Sequence, residues 1–533
     1  MTEWSVEESE RRTHEEGFTG GFNPWVVALT VTLATFMEVL DTAIANVSLP
    51  HIAGSLSVGQ DESTWVLTSY LMSNAVILPV SGWLSTRFGR KRFYMVCVFL
   101  FTVSSFLCGI APNLGLLIFF RVLQGLGGGG LAPSEQAILA DTFPPAKRGM
   151  AFAVYGMAVV LAPAIGPTLG GFITDTYSWR WVFFINIPVG IVSLLLSARV
   201  VQDPPHLARM RERAGPVDYI GLGLIALGLG ALEVVLDTGQ QKDWFASHNI
   251  ATWAVVAAVA LIAFVVWEWK NDHPIVEVRM YKDRNFAVSN LMMLVLGMAL
   301  YGSTVLLPQY VQVWMGWSAQ DAGMALSPGG ITVICLLPLV GRLVSKVDSR
   351  YLIAFGFTAL SVALYHMSRT IYPGMDFHTA MMLRIYQSIG LAFLFVPINT
   401  LAYAGVPPSK SNQVSGILNL SRNMGGDIGI ALVTTLIARR AQFHQANLVA
   451  NVVPGDPRLM ERMQGIAQYL QHSGVSAAQS TKLAMAAIYR QVIVQAQTLA
   501  YLDVLYVLAC FTAVMIPLVL LTRRAARGAM MAH

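Results

Sequence analysis

Stretches of about twenty mostly apolar residues recur along this chain, near 25–46, 63–83, 93–111, 114–134, 150–173, 181–200, 219–238, 250–269, 286–307, 322–341, 351–368, 379–403, 414–437 and 501–521. A helix of about 20 residues crosses the roughly 30 Å hydrocarbon core of a bilayer. Inside that core each span must satisfy its own backbone hydrogen bonds, which leaves helices or closed barrels. The pattern predicts an all-α polytopic membrane protein of fourteen transmembrane helices. The 533 residues are 55% hydrophobic and only 12% charged, about half the roughly 25% of soluble domains. The four cysteines, Cys97, Cys108, Cys335 and Cys510, lie inside apolar runs with no C-x-x-C pair, which argues against a disulfide framework or a metal site. With no Walker motif, metal-ligand cluster or soluble catalytic stretch, the chain reads as a non-enzyme. It carries no catalytic residue, no cofactor, no metal and no nucleic-acid partner.

An even number of spans puts both termini on one side. Loops on that side carry Arg87, Arg90, Lys91 and Arg92, then Lys147, Arg148, Arg199, Arg209, Arg211 and Arg213. They continue with Lys270, Arg279, Lys282, Arg284, Arg342, Lys346, Arg350 and Lys410, whereas the opposite short loops offer only Arg180, Lys242 and Arg369. The positive-inside rule makes both termini cytoplasmic. Residues 1–22 read as a disordered cytoplasmic tail with no cleaved signal peptide, and 523–533 as a second cytoplasmic tail. One opposite-side loop is long, from about 439 to 500, polar, rich in Gln and Ala, and partly helix-patterned.

An internal repeat sets the architecture. RVLQGLG at 121–127 recurs as RIYQSIG at 384–390, so Arg121, Gln124 and Gly127 return as Arg384, Gln387 and Gly390. At the same offset of 263 residues, Pro144, Pro145 and Lys147 return as Pro407, Pro408 and Lys410. The chain divides into a six-helix bundle at 23–203, an inserted two-helix segment at 204–285 and a second six-helix bundle at 286–522. Parallel halves of this kind describe a secondary transporter of the major-facilitator fold. RVLQGLGGGG also contains a dinucleotide-type G-x-G-x-x-G, with Asp141 sixteen residues beyond Gly125. The second copy keeps Arg and Gln but loses most of the glycines, and the run lies within an apolar span. Its glycines therefore read as a helix-packing face.

Several stretches resemble known signatures. GWLSTRFGRKRF (82–93) resembles the cytoplasmic gating loop of the major facilitator superfamily, through Gly82, Arg87, Gly89, Arg90 and Lys91. RVLQGLGGG resembles its fourth-helix motif. APAIGPTLGG (162–171), with Pro163, Gly166, Pro167, Gly170 and Gly171, resembles the antiporter motif of the fifth helix. VLDTAIANVSLP and SWRWVFFINIPVG look like signatures of the fourteen-helix drug:proton antiporter branch, and the match is similar to EmrB-type multidrug export permeases. The resemblance implies proton-driven export of lipophilic or amphipathic compounds across a bacterial inner membrane. It also implies an EmrA-like periplasmic adaptor and a TolC-like outer-membrane channel, with the 439–500 loop as a docking surface. Export of one dedicated metabolite, fatty acid or pigment is the alternative. The gating loop departs from the family pattern at Thr86, where an acid is usual, so its latch must rest on other contacts.

Ionisable residues inside a span mark functional sites by default. Glu38 and Asp41 are three apart in the first helix, hence on one face. They lie at a depth close to that of Arg121 on the antiparallel fourth helix, so this trio is assigned to proton coupling. Secondary candidates are Gln124, Arg384, Arg422 and Asp427, the last two five apart and not sharing a face. Glu233 and Asp237 are expected to be structural and outside the twofold core, and Glu135 to reach hydrated interface. Pro163 and Pro167 each remove a backbone donor, so the fifth helix is expected to bend, with Gly166, Gly170 and Gly171 giving it a flat packing face.

Overall fold

The computed structural model describes residues 21–204, 207, 217–404, 406–407, 410–453 and 455–523. Most of both expected tails, and Arg209, Arg211 and Arg213, lie outside these residues. The long helices are α1 Pro24–Leu56, α2 Trp65–Phe88, α3 Arg90–Gly109, α4 Leu114–Thr142, α5 Pro145–Thr176, α6 Trp181–Val200, α7 Tyr219–Thr238 and α8 His248–Lys270. They continue with α9 Arg284–Trp314, α10 Ala319–Lys346, α11 Ser349–Thr370, α12 Phe377–Tyr403, α13 Ser411–Val449, α14 Pro457–His472 and α15 Ala477–Val519. Side-chain caps start several of them: Asn23 accepts from Trp25, Asn113 from Leu116, Asp376 from Thr379 and Asp456 from Arg458.

Among the described residues, eleven helices are long and apolar enough to cross a membrane, and the bent α5 makes twelve. Every apolar segment read from the sequence coincides with a helix, but α2 and α13 fall short of that measure. Both are too polar: Ser69, Ser73, Asn74, Ser81 and Ser85 on α2, and Asn412, Ser415, Asn419 and Arg422 on α13, are buried in the protein interior. The two helices pack against each other. A Cβ on Gly82 would stand 2.9 Å from the Asn412 carbonyl oxygen, and one on Gly416 2.9 Å from that of Leu78. A second seam joins α5 to α10, where Gly149 and Gly341 meet backbone to backbone. α7 and α8 pack on each other, and α7 also touches α2 and α13.

The long segment at 439–500 is not a loop. α13 runs on to Val449 and α15 begins at Ala477, with α14 packed against α15 between them. Residues that favour helices fill AAQSTKLAMAAIYRQVIVQAQ. The 39 residues of α13 and 43 of α15 measure roughly 58 and 64 Å at 1.5 Å per residue. They project well beyond a core of about 30 Å. The hairpin is pinned near its base, where Asp503 accepts from Arg440 Nε at 2.6 Å and lies 2.7 Å from His444 Nε2.

Glycines bring α4 onto α2 and α3. A Cβ on Gly127 would lie 2.7 Å from Phe101 N, and one on Gly129 2.6 Å from the Asn74 carbonyl. The run is a packing face. α5 bends by 42° between its Ala146–Pro163 and Ile165–Thr176 segments. A Cβ on Gly166 would reach 2.5 Å from Ala43 Cβ, and one on Gly170 2.9 Å from Ile44 Cγ2, so α5 presses on α1 there. Gly171 corrects the sequence reading: a Cβ there meets nothing, because it faces away from α1. Gly166→Leu should therefore lower stability by about 1–3 kcal/mol through overpacking, while Gly171→Leu should stay within about 0.5 kcal/mol. Thermal unfolding of the two purified variants in detergent checks the contrast.

Candidate proton-coupling site

Asp41 and Arg121 are fully buried and joined, Arg121 Nη1 donating to Asp41 Oδ2 at 2.6 Å. The pair belongs to a network drawn from five helices. Arg121 also donates from Nη1 to Gln124 Oε1 at 2.8 Å and from Nε to the Val66 carbonyl at 2.9 Å. Its guanidinium sits 4.3 Å from the centre of the Tyr70 ring. The other carboxylate oxygen, Asp41 Oδ1, accepts from Gln124 Nε2 at 3.1 Å and Asn186 Nδ2 at 2.6 Å. Asn186 in turn donates to Ser105 Oγ at 3.0 Å, and that hydroxyl donates to the Phe183 carbonyl at 2.8 Å. Such charge-assisted bonds hold the carboxylate in one orientation.

Glu38, one turn earlier on α1, is held differently. Its Oε1 accepts from Tyr70 Oη at 2.9 Å and Asn74 Nδ2 at 3.2 Å, both neutral donors on α2. Tyr70 thus contacts both acids' surroundings, its hydroxyl on Glu38 and its ring under Arg121. The sequence pointed to the three charged residues. It did not single out Tyr70, Asn74 or Asn186, although Asn186 is the one amide within SWRWVFFINIPVG.

The secondary candidates separate. Arg384 repeats the local geometry of Arg121, with Nη1 donating to Gln387 Oε1 at 2.7 Å, but its Nη2 donates to Thr304 Oγ1 at 3.2 Å rather than to an acid. Arg422 donates to Tyr155 Oη at 3.0 Å, Tyr155 donates to Asn419 Oδ1 at 3.2 Å, and Asn419 donates to Gln136 Oε1 at 3.0 Å. That chain ties α13 to α4 and α5. Asp427 lies against Glu233 of α7, while Asp237 accepts from Thr68 of α2. The acids of the inserted helices therefore touch core helices instead of standing apart. Glu135 is a further correction: it is fully buried and accepts from Thr32 Oγ1 at 2.6 Å, because the whole stretch after the Gly129–Gly130 break is packed inside.

At the basic end of the molecule, Arg90 is buried and donates to Asp141 Oδ2 at 2.7 Å and to the Ala137 carbonyl at 3.0 Å. The acid that completed the nucleotide-like spacing is thus an ion-pair partner. Gly89 has φ of 91°, and Asp203 Oδ1 accepts from Lys91 N at 2.7 Å beside it. Thr86 donates to the Gly82 carbonyl of its own helix at 2.9 Å.

A buried charge network inside a bundle of membrane-crossing helices is a feature of secondary transporters. Residues 31–430 match the Major Facilitator Superfamily family model. The chain is 38% identical over 460 residues to the multidrug export protein EmrB of Escherichia coli, covering 86% of this chain and 89% of that protein. It is 40% identical over 433 residues to EmrB of Haemophilus influenzae, covering 81% and 84%. To the fatty acid resistance protein FarB of Neisseria gonorrhoeae it is 38% identical over 457 residues, covering 85% and 88%. Its fold resembles the human organic anion transporter MFSD10 (TETRAN) with a TM-score of 0.54 at 15% identity, covering 78% of this chain and 94% of that one. The chain belongs to the Major Facilitator Superfamily, as a multi-pass efflux transporter of the EmrB family. Transporters of this kind need no cofactor.

Removing one partner of a buried ion pair leaves the other charge uncompensated, at roughly 3–5 kcal/mol. Asp41→Ala should fall in that range by thermal unfolding in detergent. Asp41→Asn combined with Arg121→Gln should recover a good part of the loss.

Proposed function

We propose that this chain is a proton-coupled antiporter that exports lipophilic or amphipathic compounds from the cytoplasm. On this reading α2 and α13 also cross the membrane, giving fourteen spans with both termini cytoplasmic, and α7 and α8 are inserted between two six-helix halves. The single observation that carries it is the unequal treatment of two acids one turn apart on α1. Asp41 is locked to Arg121, Gln124 and Asn186. Glu38 is held only by neutral donors, so it can gain or lose a proton without breaking an ion pair. Glu38 is the carboxyl that exchanges the proton, and the Asp41–Arg121 pair supplies the fixed charge and register beside it. The bent α5, pressed on α1 at Gly166 and Gly170, is the element along which the halves rock.

In proteoliposomes, adding an exported drug should release protons from the wild-type protein. Glu38→Gln and Asp41→Asn should each abolish that release while the purified variants keep a cooperative thermal transition. Normal coupling in a folded Glu38→Gln protein would remove the proton from Glu38.

The helical hairpin extending α13 and α15 supports docking to a periplasmic adaptor that leads to an outer-membrane channel. It exposes Val453, Met460, Tyr469 and Tyr489. Replacing residues 445–498 by a short turn should reduce export from whole cells yet leave transport in proteoliposomes intact. Equal loss in both assays would refute a docking role.

A further inference from the structure

The two copies of the internal repeat share a scaffold but not a charge balance. In the first, Arg121 and Gln124 meet Asp41. At the same 263-residue offset the second copy has Arg384, Gln387 and, opposite Asp41, Thr304. The bond from arginine to glutamine survives, at 2.8 Å in the first copy and 2.7 Å in the second. What replaces the carboxylate is a pair of hydroxyls: Thr304 accepts from Arg384 at 3.2 Å, and Ser303 accepts from Gln387. Both hydroxyl protons are already spent on their own helix, donated to the carbonyls of Leu300 and Ala299. The second copy therefore reproduces acceptors but brings no negative charge. Among the described residues no carboxylate pairs with Arg384, and its Nε–H has no acceptor.

A guanidinium at membrane depth without a counter-charge is an unfavourable arrangement. The stem of Arg384 packs against α10, where a Cβ on Gly329 would stand 2.6 Å from its Cγ. The residue is half-buried, less enclosed than Arg121. It is held in place by Gln387 and Thr304 with hydrogens to spare.

We propose that Arg384 seats the anionic head of a transported amphiphile, a single carboxylate on an apolar tail. One fixed positive charge matches one anionic group, and a guanidinium fork suits a carboxylate in geometry. The apolar tail follows from the lipophilic or amphipathic cargo proposed above, since sites for such molecules are mostly apolar with a few placed polar groups. This inference rests on the export function above and names a substrate class for it. Arg121 is excluded from the same role because Asp41 already neutralises it.

The repeat supplies its own test. Thr304→Asp recreates in the second copy the acid found in the first, so it should fold, raise or preserve thermal stability, and close the seat. Binding of dodecanoate and of dodecyltrimethylammonium is measured on purified protein in detergent, with no proton gradient, for wild type, Arg384→Gln, Arg384→Lys and Thr304→Asp. The ratio of dodecanoate to dodecyltrimethylammonium affinity should fall at least tenfold in Thr304→Asp and Arg384→Gln, and less in Arg384→Lys. A folded Thr304→Asp protein that keeps the wild-type ratio would overturn the proposal. So would competition by chloride, tested against gluconate, with no preference for the carboxylate amphiphile, since the seat would then hold an inorganic ion. Because binding is read without a gradient, failure here leaves proton coupling at Glu38 and Asp41 standing. Loss of drug-driven proton release would leave this binding ratio unaffected.

Discussion

Burying Arg121 is the commitment on which the rest of the first half depends. A guanidinium in a low-dielectric interior is costly without a counter-charge and acceptors for its N–H groups. Asp41 on α1 supplies the charge, Val66 on α2 a carbonyl, Gln124 on α4 a side-chain oxygen and Tyr70 a ring face. Asn186 on α6 then holds the second carboxylate oxygen and reaches Ser105 on α3. Five helices are registered by one cation. Glycines on α4 let α2 and α3 come close enough for these bonds to form.

The second half reuses the arrangement with hydroxyls in place of the acid, and that difference makes the two halves chemically unequal. One side of the molecule closes its charge internally while the other leaves it open. Between them runs a polar seam, Gln136 to Asn419 to Tyr155 to Arg422, which joins α13 to helices of the first half. On the proposed antiport reading, the proton and the amphiphile would use these two sites of different charge.

Much of this is legible in the sequence alone. Apolar runs locate helices because lipid penalises every unsatisfied backbone group, and the Arg–Gln repeat marks equivalent positions because buried charge is seldom duplicated without use. Other features are not legible. By counting along α4, Glu135 reads as an interface residue, but every residue from Leu131 to Ala140 is buried in the protein interior. The polarity of 439–500 suggested a loop, yet its residues extend α13 and α15, since helix propensity does not depend on whether lipid surrounds the helix. Gly171 shared a motif with Gly166 and Gly170 but faces open space, one residue being enough to rotate it off the packed face.

By itself, the sequence determined the helical membrane class, the positions of the apolar segments, the duplication and the charged residues worth watching. Each follows from local chemistry, the cost of exposing backbone or charge to hydrocarbon, which is paid residue by residue along the chain. Only the tertiary structure decided which donors meet which acids. Asn186 reaching Asp41, Tyr70 bridging Glu38 and Arg121, and Thr304 standing where an acid stands in the other half are matters of helix rotation and approach. Those are set by packing between segments distant in the chain, where a turn of one residue exchanges one partner for another.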